Sequence, residues 1–206
     1  SLLTGLLLPD APVVAWWPNR APVSVSESPI GKIAARRITD AANQEHPDAF
    51  LGALSESYAP GDSDFAWTRL TLWRAQLAAL LDQPPHQNVE SAEVAGNLAN
   101  PSVLLLAAWL RLRLGCPVAM VSRAESSGVR GVYSVRLIRR ESSIEILRDQ
   151  VSIAVVSQTN QPSKELALPV RSLRDCLAED LRRLDPDLAF EKVLTQGLPL
   201  LLKEQS

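Results

Sequence analysis

The stretch Gly131-Val132-Tyr133-Ser134-Val135-Arg136-Leu137-Ile138, followed by Ser143-Ile144-Glu145-Ile146-Leu147 and Val151-Ser152-Ile153-Ala154-Val155, decides the fold. Tyr133, Val135 and Leu137 recur at every second position, as do Ile144 with Ile146, and Val151, Ile153 and Val155. A period of two marks strands with one buried face, and polar breaks separate the runs. An antiparallel meander follows, and Pro117 to Ser122 reads as a further strand at the head of the segment 117–170.

Helices flank this segment, and their ends are signposted. Asn100 as cap, Pro101 in the first turn and Gly115 as terminator predict a helix between them. Ser172 with Asp175 three residues on is a capping box. Leu173, Leu177, Leu181 and Leu184 then repeat at helical spacing up to Asp185-Pro186, and a fourth helix is expected to end near Gly197. An earlier helix is expected to follow Pro60-Gly61-Asp62-Ser63-Asp64 and to stop at Pro84-Pro85, its acidic residues favouring the positive end of the helix dipole.

Near the start, Val13-Val14-Ala15-Trp16-Trp17 is an apolar run between Pro12 and Pro18 and reads as a strand covered on both faces. Residues 18–30 read as a loop, and from Ile30 to Leu54 short helical patterns alternate with polar breaks. The expected fold class is α/β with an α+β tendency. It is a mixed sheet with flanking helices, an antiparallel meander at about 117–170 and C-terminal helices. The expected organisation is one globular unit over 1–206: a helix-rich part at 1–122, the meander at 123–170 and C-terminal helices at 171–206.

Bulk composition excludes several classes. With 206 residues, 46% hydrophobic and 21% charged, the chain can bury a core without staples. Lys plus Arg is 21 against 23 Asp plus Glu, so no global field draws in nucleic acid or an anionic membrane. Cys116 and Cys176 stand far apart with no CxxC pattern, which argues against a disulfide framework or structural zinc and fits a reducing cytoplasm. The apolar runs Leu2 to Leu8 and Leu198 to Leu202 are too short to span a membrane. Ser1 in place of Met suggests a piece of a longer protein.

The chemistry-bearing signatures are missing: no GxGxxG after a strand, no GxxxxGK[ST], no HExxH and no GxSxG. No catalytic residue, cofactor or metal is therefore assigned. His46 and His86 each adjoin a proline and read as solvated loop residues, and Cys116 reads as buried and inert. Gly128-Val129-Arg130-Gly131 has the form of a KH-type GXXG clamp but reads better as a glycine turn, and Arg136, Arg139 and Arg140 read as a solvated face.

Residues 58–82 carry the most information. With a helix from about Asp64, Leu70, Leu77 and Leu81 share a face flanked by Trp67 and Trp73, and Arg74 falls within it. An unpaired arginine on an inward face is costly, so Arg74 must meet an internal carboxylate, solvent or a partner. The internal reading makes both tryptophans core and pairs Arg74 with Asp62 or Asp64. The functional reading is an interaction surface, since Trp and Arg dominate binding hot spots.

The block Tyr58 to Arg74, YAPGDSDFAWTRLTLWR, resembles the signature of the OpcA family of glucose-6-phosphate dehydrogenase assembly proteins, which reads YAPGDTDLAWTRLTPWR. Pro9 to Pro18, Gly31 to Asp40 with Arg36-Arg37-Ile38, and Leu181 to Asp187 (LRRLDPD) are similar to further family motifs, so the likeness spans nearly the whole chain. Leu72 stands where the pattern has Pro, which would let a helix run through. Relatives also carry an N-terminal domain, which implies that this chain is a C-terminal portion.

The resemblance implies a non-catalytic subunit that binds glucose-6-phosphate dehydrogenase in the oxidative pentose phosphate pathway and promotes its oligomerisation and activity. The implied partner-binding residues are Asp62, Asp64, Trp67, Thr68, Arg69, Trp73 and Arg74, with Trp16, Trp17, Arg36 and Arg37. The rival reading is a sugar-phosphate enzyme or sensor in which Arg37, Arg69 and Arg74 converge on a phosphate.

Overall fold

A computed structural model describes residues 11–84, 86–123 and 129–204. The run Leu2 to Leu8, with Pro9 and Asp10, lies outside the described residues, as do Pro85 and Gly128. The architecture is mixed α/β, with 39% helix and 23% strand.

Strands β1 (Val14–Trp16), β2 (Arg36–Thr39) and β3 (Asp62–Asp64) form a small parallel sheet in that order. A larger sheet contains β4 (Ser91–Gly96), β5 (Val118–Ser122), β6 (Val132–Ile138), β7 (Ser143–Leu147), β8 (Ile153–Gln158) and β9 (Lys164–Ala167), ordered β5-β4-β6-β7-β8-β9. From β6 to β9 it is the expected antiparallel meander, with Val135 opposite Ile146 and Leu137 opposite Ile144. The period-two signal holds for Val135, Leu137, Ile144 and Ile146, which all point into the core. It does not hold for the third run: Val151 and Ile153 are 46% and 36% exposed, and Ala154 and Val156 are the inward residues of β8.

Helix α4 (Pro101–Leu114) has the ends its sequence announces. The Asn100 side chain accepts from the Ser102 N–H, Pro101 opens the helix, and Gly115 closes it at φ 67°. Residues Pro101 to Ala108 are all buried, because α4 is covered by the large sheet on one side and by the C-terminal helices on the other. Helix α1 (Pro47–Ser57) adds Leu51 and Leu54 to the same core. The capping box Ser172–Asp175 is formed and opens α5 (Leu173–Arg182).

Four expectations change. The helix expected from Asp64 is two helices, α2 (Phe65–Thr68) and α3 (Thr71–Leu81), with Asp64 as the cap of the first. Leu72 is therefore a first-turn residue, a place that also accepts Pro, so it does not decide helix continuity. The Val13–Trp17 run is an edge strand, with Ala15 buried and Trp16 36% exposed, so it is not covered on both faces. The last helix does not end at Gly197: α6 (Leu188–Lys192) runs through a π-helical segment (Val193–Gly197) into α7 (Leu198–Glu204).

The wider π turn lies just before Pro199, whose ring would crowd the carbonyl four residues back in a regular helix. Gly197 serves close packing: a Cβ there would lie 2.7 Å from the Ala108 carbonyl oxygen of α4. Arg139 also departs from the solvated-face reading, being 7% exposed, whereas Arg136 and Arg140 are exposed.

Candidate functional site

Two of the block residues, Ser63 and Thr68, belong to a buried charge network that ties the small sheet to α5, and two more, Asp62 and Arg69, form ion pairs beside it. Asp180 of α5 accepts from Arg36 Nη2 at 2.5 Å, from Ser63 Oγ at 2.7 Å and from Thr68 Oγ1 at 2.8 Å. Arg36 also donates to the Asp185 carbonyl at 3.1 Å, and both members of the ion pair are 3% exposed. Arg37 donates through Nε to Asp62 at 2.5 Å and reaches the carbonyls of Ala34 and Pro60 at 2.8 and 2.6 Å. Arg69 forks onto Asp40 with two bonds of 2.7 Å.

Asp64 is fully buried and accepts from Thr39 Oγ1, the Ala41 N–H and the Ala66 N–H. Burial pushes its carboxyl up to about 6, a rise that those hydrogen bonds soften.

Trp67 and Trp73 are each 1% exposed. Their rings belong to the core cluster, so a partner docking on the folded chain meets the surface beside them. Trp67 is oriented by its Nε1–H, which donates to Asp187 Oδ2 at 2.9 Å, while the other oxygen of Asp187 caps α6. Arg74 pairs with neither Asp62 nor Asp64. Its guanidinium lies 3.6 Å from the centroid of the Trp67 ring, its Nη2 donates to Thr71 Oγ1 at 3.2 Å, and among the described residues it forms no ion pair. Desolvation lowers its pKa to about 10, which leaves it cationic at neutral pH.

These groups converge on one depression of about 310 Å³. Its floor holds Arg36, Trp67, Thr68 and Arg74, and its wall is the turn from Arg182 to Leu188. Two blocks more than a hundred residues apart, Tyr58–Arg74 and Leu181–Asp187, thus meet at one place. On its rim Leu184 is 42% and Leu188 65% exposed, beside the exposed charges of Arg182, Arg183 and Asp185, and Glu179, Asp180 and Asp187 also line the depression. A cation stacked on an indole beside exposed leucines is suited to a polar contact flanked by apolar ones.

Trp16 and Trp17 lie elsewhere, on the edge strand and just after it. Trp16 stacks on Phe65 with ring centroids 5.9 Å apart. Arg37 and Arg69 do not join Arg74, since each is closed off by its own carboxylate, and only Arg74 of the three lines the depression. Asp40, Glu179, Asp180 and Asp187 were not singled out by sequence reasoning. Asp180 was legible: it falls one helical turn after Cys176 on the inward side of α5, where an aspartate requires an internal donor.

Cys116 and Cys176 are free and buried, and burial raises both thiols, that of Cys176 to about 11. Among the described residues no three His, Cys, Asp or Glu side chains group to hold a metal, and no helix is long and apolar enough to cross a membrane.

As a class, the molecule is a two-sheet α/β protein, and its fold is similar to that of a ketoreductase. It is similar to KijD10, a 3-ketoreductase from Actinomadura kijaniata solved with TDP-benzene and NADP in an open conformation: the TM-score is 0.55 at 8% identity, over 96% of this chain and 78% of that one. A second KijD10 complex gives 0.54 at 9% identity, over 97% and 79%. At such identity the likeness describes fold alone.

The chain belongs to the OpcA family of glucose-6-phosphate dehydrogenase subunits. The family's C-terminal domain, described as that of a glucose-6-phosphate dehydrogenase subunit, matches residues 60–194, and the N-terminal domain of the same family matches residues 1–56. No curated protein matches.

Proposed function

We propose that this chain is a non-catalytic, cytoplasmic subunit that binds glucose-6-phosphate dehydrogenase and promotes its oligomerisation and activity. The depression around Arg74 receives the enzyme. The observation that carries this reading is the convergence of the two family-like blocks on a single unpaired arginine with an exposed leucine rim. A partner carboxylate placed on Arg74 would add the direct ion pair that the described residues do not make, beyond the longer-range field of Asp187 and Glu179, and Leu184 and Leu188 would supply apolar contact around it.

The test mixes the chain with the dehydrogenase of its own organism and follows oligomer size by light scattering alongside the rate of NADP reduction. Arg74→Ala and Leu188→Asp should each weaken association by roughly 2 kcal/mol or more, about thirtyfold, while the free chain stays folded. Unchanged size and rate with the unmodified chain would remove the reading. Full association by both variants would remove the depression as the contact.

The rival phosphate reading through Arg37, Arg69 and Arg74 loses its geometry, because their charges are held apart and two are already neutralised.

A further inference from the structure

A second cleft, larger than the Arg74 depression, lies away from it. It has a volume of about 560 Å³ and sits between the start of α4, the start of β6 and the segment leading into α5. Four arginines line it, Arg69, Arg130, Arg148 and Arg171, and among the described residues no carboxylate does.

Two of these charges are neutralised from behind. Asp40 chelates Arg69, and Glu179 pairs with Arg171 at 2.6 Å. The other two form no ion pair among the described residues. Arg130 is exposed at the rim. Arg148 is 5% exposed, and its Nη2 donates to the carbonyls of Val132 at 2.9 Å and Arg130 at 3.4 Å. Its Nε has no partner, and its guanidinium sits 5.2 Å from the Trp73 ring.

A buried cation with carbonyls and a ring for company, and no counter-ion, is an arrangement that folding alone disfavours. Burial lowers the pKa of Arg148 to about 10, so at neutral pH it keeps its charge.

The rest of the lining points the same way. Asn100, Pro101 and Ser102 bring the positive end of the fourteen-residue helix α4 to the cleft wall. Trp73 is also on the wall, and its Nε1–H is buried without a partner. Gly131 stands at φ 75°, and a Cβ there would crowd the Asn100 side chain at 3.3 Å, so glycine keeps this corner open beside Arg130. Arg130 and Gly131, the described end of the GXXG motif in the sequence, therefore border a cleft.

We propose that this cleft binds a small phosphorylated molecule, with Arg130 and Arg148 gripping the phosphate at the start of α4. The volume suits one metabolite-sized ligand. The chemistry common to sugar phosphates and nucleotides is the phosphate itself, which a guanidinium can grip through two parallel hydrogen bonds.

The experiment is isothermal calorimetry on the full chain, without the dehydrogenase, so its result is independent of whether docking at Arg74 holds. Inorganic pyrophosphate is the first probe, glucose 6-phosphate and adenosine 5′-monophosphate are the arms that separate the two sources, and citrate is the non-phosphate anion. Saturable heat is expected from at least one phosphate, and preference for one organic phosphate supports the site and names its source.

Arg130→Glu, a rim change that leaves the core untouched, should weaken binding about tenfold or more. Arg148→Met should do the same, with the far-ultraviolet spectrum and melt reporting that the chain is folded. The proposal is overturned if no phosphate binds, if citrate binds as well as the phosphates, or if Arg130→Glu leaves affinity unchanged.

Discussion

Removing the Asp180 carboxylate tests whether α5 is held to the small sheet by buried charge. In Asp180→Ala, Arg36 keeps only the Asp185 carbonyl, and its Nε already lacks a partner. Stranding one member of a buried ion pair costs about 3–5 kcal/mol, and the Ser63 and Thr68 hydroxyls lose an acceptor as well. An overall loss of about 4 kcal/mol is expected, which in a chain of this size lowers the melting midpoint by roughly 8–16 °C.

The decisive comparison is a cycle with Arg36→Met and the double variant Arg36→Met/Asp180→Ala. With both charges gone, the double variant should lose at least about 2 kcal/mol less than the sum of the single losses. Urea unfolding, followed by the fluorescence of the five tryptophans, measures all four proteins. Additive losses, or a loss below about 1 kcal/mol for Asp180→Ala, would refute the view that this charge anchors the helix.

Two further outcomes can be checked on the isolated chain. The Asp64 carboxyl, about 6 when folded against an ordinary 3.8, holds its proton more tightly in the folded state. Its contribution to stability is therefore full below pH 3.8, drains as pH rises to about 6 and totals roughly 3 kcal/mol. A carboxyl-carbon titration by NMR, assigned with Asp64→Asn, should show the raised midpoint, and a midpoint at or below 3.8 would contradict the assignment. Gly197→Ala places a methyl 2.7 Å from the Ala108 carbonyl oxygen, and the resulting overpacking should lower stability by about 1–3 kcal/mol in denaturant. A gain of the size that helix propensity alone predicts would show instead that the two helices separate freely.

The meander and α4 were readable because their signals are local. Alternation in β6 and β7 and the Asn100-Pro101 to Gly115 bracket each state a conformation within one segment. The apolar Val151 and Ile153, just before and at the start of β8, are instead exposed and mislead about the face. Strands β2 and β3 were not readable. Arg36-Arg37-Ile38-Thr39 and Asp62-Ser63-Asp64 are buried at every position, and their polar side chains are satisfied by residues far along the chain, which no local period reveals. Strand β4 alternates Ala92, Val94 and Gly96 inward, small residues that carry a weak apolar signal.

For the site, the constraint on Arg74 was visible from helical spacing. The answer to it, an indole face and an open depression, depends on α6 and Asp187 and lay outside any single segment. The break at Arg69-Leu70 was hidden because nothing in Thr68-Arg69-Leu70 disfavours a continuous helix.

Arg37 has a consequence for how relatives of this chain can differ. Its guanidinium stitches two turns together by gripping main-chain oxygens of residues 34 and 60, with longer reaches to residues 31 and 59. Such a stitch constrains the path of each turn and is indifferent to the side chains borne there. Ala34, Ala59 and Pro60 can therefore drift in identity while position 37 cannot: a lysine offers one ammonium where a planar fork must span several oxygens at once. Among homologues, this corner should be recognised by its trace through space sooner than by its letters.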